Sequence, residues 1–265
     1  MLETVKTWML STRFGEPARW LAHRLCPLTD LERNERYDIE TAAVIARVLR
    51  IGGHAVDVGA HTGSILREIV RTAPAGPHWA FEPLPTFAAR LRAEFPAVTV
   101  HETALAETAG TATFQHVVSN PAYSGLRRRS YSRTETIEPR TVRTDRLDDV
   151  LPDDVRISFI KIDVEGGELG VLRGAVRTLR RWQPIVVFEH GLGAADYYGT
   201  TPEAVAALLD DCGLAVTLMR RWLRGRRPFT AREFLSCVQE RREFYYLAGP
   251  PSGVASSEGS VSRTW

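Results

Sequence analysis

Apolar positions along this chain follow two rhythms. Residues 1 to about 50 repeat at helical spacing, with Trp8, Leu10, Phe14, Trp20, Leu21 and Leu25 in one segment and Ile39, Ala43, Val44, Val48 and Leu49 in a second. Gly52 and Gly53 stop that second helix. From residue 55 the pattern changes to short β-branched runs separated by helical segments, at 55–58, 78–81, 98–101, 157–162, 185–188, 215–219 and 244–247. Seven such strands alternating with helices predict an α/β fold, a mostly parallel sheet built from βαβ units.

Between the third and fourth runs lies an excursion, residues about 105–152, with a strand-like stretch at 111–114 and an arginine-rich, turn-rich remainder. Excursions of this kind are commonly lids or substrate loops. After residue 248 the chain turns to Pro, Ser and Gly, which predicts a disordered tail over 249–265. The expected organisation is a helical extension at 1–50, a core at 51–248 carrying the insert, and that tail.

Composition narrows the class. With 265 residues, 44% hydrophobic and 25% charged, the chain can bury a sizeable core, and collagen-like, coiled-coil and wholly disordered readings are excluded. No apolar run approaches the roughly 20 residues of a membrane span. Cys26, Cys212 and Cys237 are odd in number and widely spaced, which suits neither a disulfide framework nor a zinc site. The start, Met1-Leu2-Glu3, lacks the layout of a secretory signal, so a cytoplasmic location is expected. Net charge is only +2, yet the basic set is almost all arginine, with Lys6 and Lys161 the sole lysines. Codon bias explains most of that imbalance, but Lys161 falls inside a candidate chemical motif.

Strand, glycines and helix follow one another in Ala55-Val56-Asp57-Val58-Gly59-Ala60-His61-Thr62-Gly63. Gly59 and Gly63 free a tight turn of Cβ atoms, so that a ligand can approach the backbone and a helix N-terminus; an ordinary βα turn would use glycine too. Glu82, at the end of the second strand, can accept hydrogen bonds from both ribose hydroxyls of an adenosine derivative. The Gly-x-x-x-Gly spacing and Asp57, which can bind an amino-acid moiety, favour S-adenosylmethionine over NAD. In the third-strand region Glu102 and Thr103 could reach the adenine edge.

Taken together, residues 56–63, Ala80-Phe81-Glu82-Pro83, Thr103-Ala104-Leu105-Ala106-Glu107 with Gly110, Ser124-Gly125-Leu126 and Lys161-Ile162-Asp163-Val164-Glu165-Gly166 resemble an FkbM-type S-adenosylmethionine-dependent methyltransferase over about residues 37–248. The resemblance implies a class I, Rossmann-like methyltransferase core whose seventh strand is antiparallel, and O-methylation of sugars, polyketides or other secondary metabolites. His61 stands where the family usually has Asn, and an imidazole there would make its contribution to cofactor binding pH-dependent. Asp57, Gly59, His61, Gly63 and Glu82 are expected to hold the cofactor, and Ser124, Gly125 and Leu126 to lie on a loop closing over the site.

The chemistry is expected at the ends of the fourth and fifth strands, the rim where open α/β sheets bind ligands. Asp163, Glu165 and Glu168 follow the fourth strand, and Glu189 and His190 end the fifth. A hydroxyl acceptor must lose its proton as the new bond forms, and His190 is the candidate general base, oriented by Asp163, Glu165 or Glu189. A rim histidine that only closes a hydrogen-bond network fits equally well. Glu168 reads as a helix cap, and Lys161 as the ion-pair partner of Asp163 or Glu165. Asp163, Glu165, Glu189 and His190 could also take a divalent ion such as Mg²⁺, a minority expectation.

The partner expected is a small hydroxylated acceptor. The arginines at 127–129, 133, 140, 143, 146 and 220–227 read first as solvated surface and second as contacts for an anionic or carrier-bound acceptor. Nucleic acid is disfavoured: few aromatics interleave with the arginines, and the fourth strand lacks an Asn/Asp-Pro-Pro-aromatic clamp. No membrane partner is expected, and Trp8 and Trp20 leave a homodimer contact open. An NAD-dependent oxidoreductase, a sugar-nucleotide modifying enzyme and a non-catalytic cofactor-binding subunit remain as alternatives.

Overall fold

The computed structural model describes residues 30–49, 53–131, 133–191 and 193–251. Trp8, Trp20, Lys6, Cys26 and the segment 252–265 lie outside them. The chain divides into two compact units, residues 1–40 and 41–265. Within the first, Arg36 pairs with Glu40 one helical turn away and lies over the Tyr37 ring.

The larger unit is built on a seven-stranded sheet. Its strands are β1 (His54–Val58), β2 (His78–Phe81), β3 (Val98–His101), β7 (Ile157–Ile162), β8 (Ile185–Glu189), β9 (Ala215–Thr217) and β10 (Tyr245–Gly249), in the order β3-β2-β1-β7-β8-β10-β9. All neighbouring pairs are parallel except those made by β10, which runs antiparallel to β8 and β9. This is the strand order and polarity of a class I methyltransferase core. β1, β2 and β7 are buried almost throughout because helices cover both faces, which is why they read as continuous apolar runs rather than as alternating ones.

The connections are helical. α1 (Asp30–Val48) leads into β1, α2 (Ser64–Thr72) links β1 to β2, and α3 (Pro85–Glu94) links β2 to β3. α4 (Leu147–Val150) precedes β7, α5 (Glu168–Arg173) and α6 (Val176–Trp182) follow it, and α7 (Pro202–Asp211) precedes β9. α8 (Met219–Leu223) and α9 (Ala231–Gln239) lie between β9 and β10. The main core gathers Val56, Phe81, Ile160, Val186, Phe188, Phe234 and Tyr246 between sheet and helices. The part of α1 that belongs to the larger unit, from Thr41 on, buries Val44 and Ile45 there, with a hydrogen bond from Thr41 Oγ1 to Met219 Sδ and with Arg47 donating to the Leu223 carbonyl and lying over Trp222.

The insert folds into a second sheet, β4 (Ala104–Leu105), β5 (Gly110–Val117) and β6 (Ile137–Asp145), in the order β4-β6-β5. Only the β5 segment shows in the apolar pattern. β6 is exposed along most of its length and carries Pro139 where β5 is its sole neighbour, so its β-branched residues do not stand out as an apolar run. Two boundaries differ from expectation. The sixth strand stops at Thr217, because Leu218 turns the chain into α8, and the last strand runs on to Gly249, which is buried where tail was expected. Among the described residues no helix is long and apolar enough to cross a membrane.

Candidate active site

A cavity opens at the carboxyl ends of β1, β2 and β7, closed on one side by the insert. Asp57, Gly59, His61, Ser64, Glu82 and Thr103 line it from the side of β1 and β2, Lys161, Asp163, Val164 and Glu165 from the adjoining side of β7, and Phe114, Pro121, Ser124 and Leu126 come from the insert.

The turn after β1 is held by backbone hydrogen bonds from Gly59 and Ala60 to the Phe81 carbonyl at the end of β2. Gly59, His61 and Gly63 all have positive φ, 77°, 46° and 78°. The left-handed region tolerates Asn and His better than most side chains, so the backbone here explains why an imidazole can replace an amide. Packing by itself already requires both glycines. A Cβ on Gly59 would stand 1.9 Å from the Asp163 carbonyl oxygen, and one on Gly63 would meet Phe95 and Leu91 at 2.7 and 2.8 Å.

Two buried acids lie on the β1–β2 side. Glu82 accepts hydrogen bonds from the amides of His61 (2.9 Å, Oε2) and Leu84 (2.9 Å, Oε1). Burial still pushes its carboxyl up to about 7, against the pull of those amides and with a further push from Asp57. Asp57 has neither carboxylate oxygen in hydrogen-bond geometry with any group, although it is only 1% exposed. Burial raises it to about 6; Lys161 lowers it, Asp163 raises it, and the more distant Leu66 amide has the smallest effect. Unsatisfied buried oxygens are costly, so Asp57 is suited to a ligand that brings donors, and Glu82 keeps lone pairs for more. The His61 ring packs on Phe87 with centroids 4.4 Å apart, and burial lowers its pKa.

On the β7 side the acids are held by side chains. Lys161 Nζ and Tyr245 Oη both donate to Asp163 Oδ2, at 2.8 and 2.5 Å. Burial opposes ionisation of Asp163, but the Lys161 charge and the hydrogen bonds from Lys161, Tyr245 and Glu189 outweigh it and hold the carboxyl below its ordinary range. Glu189 is the reverse case. Burial and the charges of Glu165, Asp163 and Glu168 drive it well above the carboxylate range. Glu165 sits at φ 59°, ahead of Gly166 at φ 103°, and its Oε2 meets Arg129 Nη2 of the insert at 2.5 Å. Burial first, then Asp163, raise it to about 8 despite Arg129. Glu168 accepts from the amides of Gly166 and Val164 and caps the loop before α5, as expected.

Fold, cavity and motif now converge with a match of the methyltransferase FkbM domain family to residues 57–214. The chain belongs to the FkbM methyltransferase family. It is therefore a member of an S-adenosylmethionine-dependent methyltransferase family. Solved structures similar to this FkbM methyltransferase include a methyltransferase FkbM from Methylobacillus flagellatus, 18% identical over 77% of this chain and 47% of that one, with a TM-score of 0.45. The present chain thus spans about half the length of that protein. A precorrin-6y C5,15-methyltransferase from Geobacter metallireducens is 20% identical over 67% of this chain and 71% of that chain, TM-score 0.38. A SAM-dependent O-methyltransferase from Thermotoga maritima is 12% identical over 80% and 64%, TM-score 0.41. No curated protein matches the chain.

Within this FkbM methyltransferase the expected site residues separate into two sets. Asp57, Gly59, His61, Glu82, Thr103, Ser124, Leu126, Asp163 and Glu165 line the cavity. Gly63 and Gly125 pack beside it, and Glu189 reaches it only through Asp163. Glu102 is exposed and paired with Arg92 at 3.2 Å, away from the cavity. His190 is also displaced. Its amide donates to the Phe244 carbonyl, and its ring lies 6.1 Å from Phe234, buried, with burial lowering its pKa to about 4. Successive residues at a strand end point to opposite faces, so Glu189 and His190 cannot both serve one site. The three carboxyls that do gather, with ligand atoms within 4.8 Å of one another, are Asp163, Glu165 and Glu189. Two contributors escaped the motifs: Tyr245, on the last strand, and Arg129, hidden in a run of three arginines.

The insert is tied down through Arg129. Its guanidinium lies 5.0 Å from the Tyr123 ring centroid and 5.7 Å from that of Tyr131. Tyr198 and Tyr197 accept from the Arg127 and Ser130 amides at 3.1 Å. Arg140, Arg143 and Arg146 pair with Glu138, Asp145 and Asp149, and Arg220 and Arg227 with Glu243 and Glu233. These arginines are structural surface.

Proposed function

We propose that this chain transfers a methyl group from S-adenosylmethionine to a hydroxyl of a small acceptor, a sugar or other secondary metabolite, with Glu165 as the base. The observation that carries this reading is the carboxyl of Glu165 in the wall of the same cavity that Asp57, with two unpartnered oxygens, and Glu82 line. Bound there, S-adenosylmethionine supplies a methyl group on a sulfonium, open to displacement. Glu82, fixed by two amides, has lone pairs left for a ribose diol. Asp57 offers two unsatisfied oxygens to an ammonium, and Thr103 and Ala104 wall the space between.

The remaining chemistry belongs to this chain's own residues. Glu165 takes the acceptor's hydroxyl proton on its carboxylate oxygen as the oxygen gains its methyl group. Asp163, ionised and held by Lys161 and Tyr245, keeps negative potential beside it. Burial and the neighbouring acids disfavour ionisation of Glu189. His190 takes no part. Lys161 and Arg129 supply the cationic charge that a metal would bring, and activity is expected to survive chelation.

An anionic or carrier-bound acceptor would meet Arg127 and Arg128, exposed beside Leu126 and without an ion pair among the described residues. The test is transfer of labelled methyl groups to matched panels of hydroxylated, amino and phosphorylated small molecules. Label on hydroxyls supports the reading, and label confined to amines would overturn it. Strong binding of NAD in place of S-adenosylmethionine, or tight cofactor binding with no product from any acceptor, would favour the alternatives.

A further inference from the structure

Glu165 is surrounded by groups of both signs from every element packed on it. Asp163 and Glu168 belong to its own loop, Glu189 ends β8, Tyr245 lies on β10, and Tyr198 lies on the 3-10 turn Ala195–Tyr198. Lys161, the one cation supplied by the sheet, is already committed to Asp163. The cation left for Glu165 is Arg129, and it comes from the insert. The pair is secluded, 12% and 16% exposed, so solvent screens it weakly. Arg129 in turn lies against both Tyr123 and Tyr131, whose rings stack 6.1 Å apart, and Gly125 sets the insert directly against Glu165, where a Cβ would come 3.4 Å from that of Glu165.

A count of charge shows what Arg129 does. Lys161 faces Asp163 and Arg129 faces Glu165, one cation for each acid. Without Arg129, burial and the charge of Asp163 would act on Glu165 unopposed and hold its proton to still higher pH. We propose that Arg129 is a positioning residue: the insert, by delivering its guanidinium to Glu165, aims that carboxyl and lowers the pH at which it ionises, and so sets how much of the site's base is available. The insert is thereby part of the chemistry and not only a cover. The consequence for turnover rests on the reading of Glu165 as the proton acceptor; the control of its ionisation does not.

The experiment follows the Glu165 carboxyl by carbon-13 NMR in the full chain without cofactor, its resonance assigned by its loss in Glu165→Gln. In Arg129→Met the titration midpoint is expected to move up by about 1–3 pH units, with Arg129→Lys lying between it and the parent, since an ammonium keeps the charge but not the planar fork. An unshifted midpoint in both variants overturns the proposal. Where Arg129→Met fails to fold, Arg129→Lys alone decides by the same criterion. In methyl transfer, the ascending limb of the kcat–pH profile is expected to move with the NMR midpoint, with at least about tenfold loss at pH 7 recovered at higher pH. A profile that falls uniformly without moving would assign Arg129 a merely structural role. Wild-type turnover in Glu165→Gln would instead remove the base reading and leave the titration result standing.

Discussion

On the β1–β2 side of the cavity Glu82 is fixed by two backbone amides, whereas on the β7–β8 side Asp163 and Glu165 are fixed by Lys161, Tyr245 and Arg129. Amide anchors come with the fold and cannot be withdrawn. Side-chain anchors carry charge, and one of them arrives on an insert. The difference suits one side to holding a ligand in fixed geometry and the other to moving a proton, and each side can be broken separately.

The largest effect is expected from Glu165→Gln, which removes the base but keeps shape. Methyl transfer should fall by about 10²–10⁴-fold while cofactor affinity stays near wild type, measured by single-turnover transfer and calorimetry. Glu82→Gln should do the opposite. A carboxamide offers one acceptor oxygen for two amides and a diol, so cofactor affinity should drop about 10- to 100-fold, with a smaller change in the rate at saturation.

A third prediction concerns pH. Asp57, Glu82, Glu165 and Glu168 all hold protons to higher pH when folded, at about 6, 7, 8 and 7, than ordinary carboxyls do. Between about pH 4 and 8 the folded chain therefore binds more protons than the unfolded one, and its stability falls as pH rises. Asp57 alone accounts for on the order of 3 kcal/mol. His190, held at about 4, works the other way between about pH 4 and 6.5. Thermal melts of the cofactor-free chain should show a net fall from pH 5 to 8, and S-adenosylmethionine should stabilise more at the alkaline end. A flat profile would mean that the acids are better solvated than their burial implies. The smallest effect is expected from His190→Ala: a loss of about 1–3 kcal/mol of stability from the Phe234 contact, with no movement of the kcat–pH profile.

The sheet was legible because burial on both faces leaves runs such as Ile157–Ile162 with no polar alternation, and the rim acids were legible because they follow those runs directly. β6 was not, since residues 138–141 face solvent, its few buried positions are scattered, and Pro139 argues against a strand. Nor was the side on which His190 falls, because one residue's difference in register reverses a side chain's direction. Arg129 could not be told from Arg127 and Arg128 by composition. Only the fold shows which of the three reaches Glu165, and the aromatics at 123 and 131 were the one hint beside it.

The most direct test of the division of labour needs no acceptor: calorimetric titration of S-adenosylmethionine into the parent chain, Glu82→Gln and Glu165→Gln at one pH. The predicted result is a weakening of about 10- to 100-fold for Glu82→Gln and near-parental affinity for Glu165→Gln. Parental affinity for Glu82→Gln together with lost binding for Glu165→Gln would contradict it.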